Sequence, residues 1–485
     1  MDDALYMRLA EEFTARLHRE EYSHLAGLKD TFDTESLFEE FHELFTRDAV
    51  LQRLDHRDDR VGRHLAEFAV HRYIGRRLSG LTERIANRQN AARVRVGGKA
   101  LPFRQAWGML TRVSDLETRR RIERQVAAAI DRQNADRAQR ILGQREIARE
   151  LGFADYCDLS AQLSGQDLHT LRDEITHLVT ETDSACRRRL ARALQSDGID
   201  PEGATDADLR WVLLAPRFTD LFAHTKLLPA AEATLSGLGL SLRCAGRVRF
   251  DLEQRPKKYP RAFCSPISVP GEVHICAAPQ GGWLDFLAFF HEVGHAQHFA
   301  HTDPDLPCPC RIMGDDAVAE AFACLFQSIV SEEDWLRRTL GAECIPAAFF
   351  ERARILQSWH IRRYAGKITY EIELHGGGSK VADMAPRYAH LLGAAVGVRV
   401  APEHFLFDVD DCFYSARYLR GWVFEACLHA HLRDHFGPSW YRSPEAGELL
   451  RSLWRRGKEL TAEELANEFG IDYGLRPLRQ TLRSP

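Results

Sequence analysis

The chain has 485 residues, 45% hydrophobic and 28% charged, which is the make-up of a soluble globular protein with a large core and, on length alone, about three domains. A net charge of -5 gives no basic face for nucleic acid or an anionic membrane, so neither is expected as a partner. Eleven cysteines, an odd number scattered along a long chain, exclude a disulfide framework.

Taken in chain order, the acidic start Met1-Asp2-Asp3 lacks a basic stretch followed by an apolar core, and no run approaches the length of a bilayer span. A cytoplasmic protein is therefore expected. From Met1 to about Leu240 nearly everything reads as helix, with amphipathic stretches at 65–87, 115–151 and 167–195. Breaks fall at Gly97-Gly98, Gly152 and Ser196-Asp197-Gly198. The region 247–278 changes character. Val248–Leu252, Arg261–Cys264 and Val273–Ala277 are short and carry β-branched or aromatic residues, with a turn at Pro270-Gly271. A small sheet is expected here, and its last strand is a candidate edge for an extended peptide.

The run Trp283–Phe290 is apolar, and no Pro or Gly interrupts the chain from Trp283 to Glu292. It leads into His291-Glu292-Val293-Gly294-His295, an H-E-x-x-H pattern. Residues four apart on a helix share a face, so His291 and His295 can hold one zinc ion while Glu292 activates water as a general base. Gly294 costs roughly 1 kcal/mol of helix propensity, which points to a close approach by another backbone. The alternative is a buried helix that carries these polar groups without a common partner, a costly arrangement.

Cys308-Pro309-Cys310 has no second cysteine pair at finger spacing, so loop thiols are expected rather than a metal clip. The next helical run, Asp315 to Phe326, contains a single acid inside an apolar stretch, Glu320, which makes it the candidate third ligand. Asp315 and Asp316 suit the helix N-terminus, and Asp316 is also placed to orient a ligand histidine. Gly376-Gly377-Gly378-Ser379 comes after a later helix without the strand or Gly-Lys-Ser/Thr context of a phosphate loop, and reads as a flexible loop. The stretch 443–469 reads as amphipathic helix.

Four segments together resemble the zinc peptidases that include thimet oligopeptidase and oligoendopeptidase F. They are His291–His298, similar to that family's extended H-E-x-G-H-x-x-H helix; Val318-Ala319-Glu320-Ala321, similar to the segment with its glutamate ligand; Asp251–Cys264, similar to the strand region upstream; and Tyr414-Ser415-Ala416-Arg417-Tyr418 with Trp422 and Glu425, similar to its tyrosine segment. They span roughly residues 250–430, while the N-terminal half matches only in being helical.

The resemblance implies His291, His295 and Glu320 as ligands of one Zn2+, Glu292 as the base, and hydroxyls of Tyr418 and Tyr414 as donors to the oxyanion. Each tyrosine can also be a core aromatic with a locally satisfied hydroxyl. The chain departs from the family where a histidine precedes the first tyrosine: Asp408 to Cys412 occupy that stretch. His404 upstream, or His375 beside the glycine loop, could take that role, and either could instead be a solvated surface histidine. A third tyrosine of some members is replaced near Gly421. Arg417 resembles the arginine of angiotensin-converting enzyme relatives that would read a terminal carboxylate, or it pairs with Asp410 or Asp411.

The expected fold is mainly α, two helical lobes around a substrate cleft with a small β-sheet next to the zinc helix. Residues 1–245 form the N-terminal lobe and 246–485 the catalytic lobe, or the two make one continuous peptidase domain. The expected activity is hydrolysis of short unstructured peptides by a monomer or homodimer. A related carboxypeptidase, a zinc enzyme acting on a non-peptide amide, and a non-catalytic peptide-binding protein are the alternatives.

Overall fold

The computed structural model describes residues 1–483 apart from 215, 216, 256, 260, 377 and 379. Pro256 and Pro260 of the upstream strand region, and Gly377 and Ser379 of the glycine break, therefore lie outside the described residues. The fold is mainly α, with two small sheets. The chain divides into two compact units: Met1–Arg76 with Arg217–Ile345 and Arg420–Leu478, and Arg77–Pro216 with Pro346–Leu419 and Arg479–Pro485. Each unit draws on both halves of the chain, whereas the division at 245/246 gives each lobe one continuous stretch. Amphipathic helix lies on either side of most crossings, so composition does not mark them. No described helix is long and apolar enough to cross a membrane.

In the first unit, the helix Asp3–Leu25 buries Phe13 among Phe38, Phe41, Phe45 and Phe68. Its three strands are β3 (Val248–Asp251), β4 (Phe263–Ser268) and β5 (Glu272–Cys276), the chain already having formed β1 (Arg93–Val96) and β2 (Lys99–Pro102) in the second unit. The sheet order is β3-β5-β4, with β5 parallel to β3 and antiparallel to β4. Strand β5 is thus central and paired on both sides, so the edge expected at 273–277 is corrected: the outer strands are β3 and β4. The helix Trp283–His301 packs on β4 and β5, and the helix Asp316–Ile329 packs along it. Asp315 caps the second helix by accepting from the Ala317 N–H at 3.0 Å, which satisfies a backbone donor at the helix start.

The second unit contains the helices Leu116–Asp131, Asn134–Glu150, Leu168–Ser196 and Ala347–His375. Its β1/β2 hairpin adds strands to a region expected to be nearly all helix, at the break expected at Gly97-Gly98. Gly97 and Gly98 both have positive φ and make the two-residue turn, while Val94 enters a core with Phe103, Ile122, Val126 and Ile130. Arg119 pairs with Asp208 at 2.9 Å, both fully buried, which leaves neither charge without a partner. The 443–469 stretch resolves into two helices, Pro444–Arg455 and Ala462–Glu468.

Candidate metal centre

His291 and His295 lie on one face of the Trp283–His301 helix, their ring centroids 4.8 Å apart. The neighbouring helix aims Glu320 at both. His291 Nε2 is 3.5 Å and His295 Nε2 3.8 Å from the same Glu320 oxygen, Oε2. These separations are too long for hydrogen bonds, which sit near 2.7–3.2 Å. They approach the spacing of two ligands on one tetrahedral zinc, about 3.3 Å apart when each bond is near 2.05 Å. Glu320 is buried, and the two imidazoles are half-buried. Imidazole and carboxylate are donor types that a zinc ion takes, and the ligand atoms of His291 and Glu320 lie within 4.8 Å of one another and of the Cys324 sulfur.

Two glycines make this convergence sterically feasible. A Cβ on Gly294 would lie 2.5 Å from the Phe322 carbonyl oxygen and 2.7 Å from Ala323 Cα, so only glycine lets the two helices meet at this depth. Behind Glu320, a Cβ on Gly421 of the helix Tyr414–Phe436 would lie 3.0 Å from Glu320 Cβ and 3.1 Å from the Ala317 carbonyl oxygen. The glycine at 421 therefore lets this helix pack tightly against the segment that carries Glu320.

Burial sets the protonation of the group. It pushes His291 down to about 4, a Gln327 side-chain hydrogen bond acting the other way. It also holds His295 well below the ordinary histidine range, with His291 and His298 adding to the effect. Neutral imidazoles keep a lone pair for a metal. The same burial raises the Glu292 carboxyl to about 8, opposed by a hydrogen bond from the Cys264 backbone N–H on β4. Sequence reasoning assigns no role to Cys264 or Gln327. The second was readable in principle, as the polar residue seven after Glu320 on one helix stripe.

The remaining candidates fall elsewhere. His298 is fully buried and its Nε2 faces the Gly457 carbonyl at 3.0 Å, so the third histidine of the extended motif anchors backbone. Asp316 pairs with Lys458 and adds a negative charge near His295. Tyr414, Tyr418 and His404 belong to the second unit. The two tyrosine rings are 5.1 Å apart, and Tyr418 also packs on Tyr364 at 4.9 Å. Arg417 stands over the Tyr414 ring at 5.7 Å, while Asp410 pairs with Lys367 and Asp411 with Arg140. The solvated state expected for His404 and His375 is corrected. His404 is 8% exposed against Trp107, and burial pushes it down to about 4; His375 is 1% exposed against Tyr156. All eleven cysteines are free thiols, Cys308 and Cys310 buried around a short helical turn at Pro309–Met313.

Compared with known protein families and with curated proteins, the sequence gives no match. Solved structures do match. A Bacillus anthracis protein assigned as an oligoendopeptidase F superposes with a TM-score of 0.63 at 12% identity, over 97% of this chain and 82% of that one. PZ peptidase A with an inhibitor superposes with a TM-score of 0.67 at 11% identity, over 96% of this chain and 85% of that one. The chain has the fold of these oligopeptidases.

Proposed function

We propose that the chain is a zinc-dependent metallopeptidase that hydrolyses internal bonds of short, unstructured peptides. The observation that carries this reading is the approach of His291 Nε2 and His295 Nε2, at 3.5 and 3.8 Å, to one oxygen of the buried Glu320. The likeness of fold to an oligoendopeptidase F and a PZ peptidase supports peptides as the substrate class.

In this proposal His291, His295 and Glu320 hold the ion, which supplies Lewis acidity to the scissile carbonyl. Glu292, held by the Cys264 amide, takes the proton of the attacking water and returns it to the leaving amine. Tyr418 and Tyr414 are proposed as hydroxyl donors to the oxyanion. His404 is left outside this machinery because its ring is buried against Trp107. The strand offered to an extended substrate becomes β4, since β5 is paired on both sides.

A carboxypeptidase action is the second reading, favoured by the Arg417 guanidinium beside the tyrosine pair. Mass spectrometry of the products from one defined peptide separates the two. Internal cuts support the endopeptidase, and stepwise loss from the C-terminus supports the carboxypeptidase.

A further inference from the structure

The helix Asp316–Ile329 presents Glu320, Cys324 and Gln327 at spacings of four and three residues, a single stripe facing the histidine pair. Two of the three already serve that pair. Glu320 Oε2 faces both imidazoles, and the Gln327 side chain hydrogen bonds to His291. Cys324 stands between them on the same stripe, and the residue is 5% exposed.

The Cys324 sulfur and the ligand atoms of His291 and Glu320 all lie within 4.8 Å of one another. On a tetrahedral zinc, a sulfur at about 2.3 Å and a nitrogen at about 2.05 Å stand about 3.6 Å apart. The sulfur thus lies beside His291 and Glu320, and His295 is not among the residues that meet this spacing with it. Burial and the Glu320 and Glu425 carboxylates hold the metal-free Cys324 thiol well above its ordinary range, and a hydrogen bond from the Trp422 side chain to the sulfur acts the other way. A cysteine that merely fills apolar space needs no such donor, whereas a metal-bound thiolate is commonly steadied by one.

Resting on the metal centre proposed above, we propose that Cys324 is a fourth protein ligand, a sulfur donor that closes the His291–His295–Glu320 site when no substrate is bound. On binding, the S–H proton leaves to solvent and the sulfur coordinates as thiolate. A site with four protein ligands is closed, whereas a catalytic one keeps an open position. The sulfur therefore has to leave before a peptide carbonyl can be polarised. A soft ligand also shifts preference toward thiophilic ions such as Cd2+ over oxygen-seeking ones such as Mn2+.

The test uses the full-length chain loaded with Co2+ in place of zinc. The wild type is expected to bind one Co2+ and to show a near-ultraviolet sulfur-to-metal charge-transfer band. Cys324→Ser is expected to keep one Co2+ and lose that band, with Cd2+ affinity lowered at least tenfold. Cys324→Ala gives the same readout if the serine variant folds poorly. A Co2+ site that depends on His291 and Glu320 but lacks the band, or a band that persists in both variants, overturns the role of Cys324 alone. A wild type that binds no Co2+ overturns the metal centre itself, and this inference with it.

Discussion

Gly294 and Phe322 meet so closely that a β-carbon on the glycine would sit 2.5 Å from the phenylalanine's carbonyl oxygen. The contact is backbone against backbone, so neither side can yield by rotating a side chain. It sets the depth at which the helix carrying His291 and His295 rests on the helix carrying Glu320. The glycine sits inside an H-E-x-x-H motif for this steric reason, even though it weakens the helix locally.

Gly294→Ala weighs those two effects against each other. Alanine returns roughly 1 kcal/mol of helix propensity, and overpacking against main-chain atoms typically costs about 1–3 kcal/mol or more. Overpacking should prevail, with a net loss of roughly 2 kcal/mol and weaker metal retention. Denaturant melts and metal analysis of the purified variant check this; an alanine variant as stable as the wild type would refute the close approach.

On the proposed centre, removing Glu320 takes away a ligand, while removing Gln327 takes away only a polar neighbour of the His291 ring. Loss of an outer partner typically costs about 10–100-fold in metal affinity. Gln327→Leu should fall in that range, and Glu320→Ala should lose more. Competition against a chelator measures both. Wild-type affinity in Gln327→Leu would mean that the hydrogen bond to His291 does not orient the ring.

The raised Glu292 carboxyl predicts a pH-dependent stability in the metal-free protein. Burial lifts it from 4.5 to about 8, so the folded chain holds this proton more tightly than the unfolded chain does. That stabilisation is complete below pH 4.5 and is lost as pH rises toward 8. Glu292→Gln carries no such proton. Its melting temperature should therefore gain on the wild type between about pH 5 and pH 8, by the equivalent of about 2 kcal/mol after allowing for the side chain's partial exposure. A difference that stays constant with pH would contradict the assignment.

In the second unit, burial pushes Asp408 up, but Arg363 and Lys367, with the Tyr388 hydroxyl, outweigh it and leave the carboxyl at about 2. A depressed carboxyl stabilises the fold above its ordinary value of 3.8, and that contribution is lost as pH falls through about 2. Asp408→Asn takes the carboxylate from Arg363, while Lys367 keeps Asp410, and should cost about 3 kcal/mol at neutral pH. Its stability should also fall less steeply than that of the wild type between about pH 4 and pH 2. Denaturant midpoints across that range decide the matter.

What the sequence made legible was local. The unbroken apolar run into His291, the isolated acid at 320 and the Asp315 cap each derive from helix periodicity or from the cost of a buried charge, and the helices Trp283–His301 and Asp316–Ile329 appear where those signals lie. Strands β3 and β5 appear within one residue of the expected bounds, whereas β4 begins two residues later and ends four residues later than expected. Strand order was not legible, because pairing β3 parallel to β5 across the intervening β4 depends on contacts distant in sequence. The β1/β2 hairpin was missed although Val94-Arg95-Val96-Gly97-Gly98 carries the alternation and the glycine pair that make such a turn; the surrounding helical pattern masked it. The Cys264 amide on Glu292 was out of reach, since a backbone donor leaves no mark on residue identity. His404 and His375 illustrate the same limit, because their burial is set by elements far along the chain.

The central claim is that Glu292 works beside a metal held by His291, His295 and Glu320. It is tested most directly by measuring zinc content and peptide cleavage together in the wild type and Glu292→Gln. One zinc per chain is expected in both proteins, with cleavage of an unstructured peptide by the wild type and a loss of at least several hundredfold in the variant. A zinc-loaded wild type that leaves a mixed peptide pool intact, or a Glu292→Gln variant that cleaves at the wild-type rate, would contradict it.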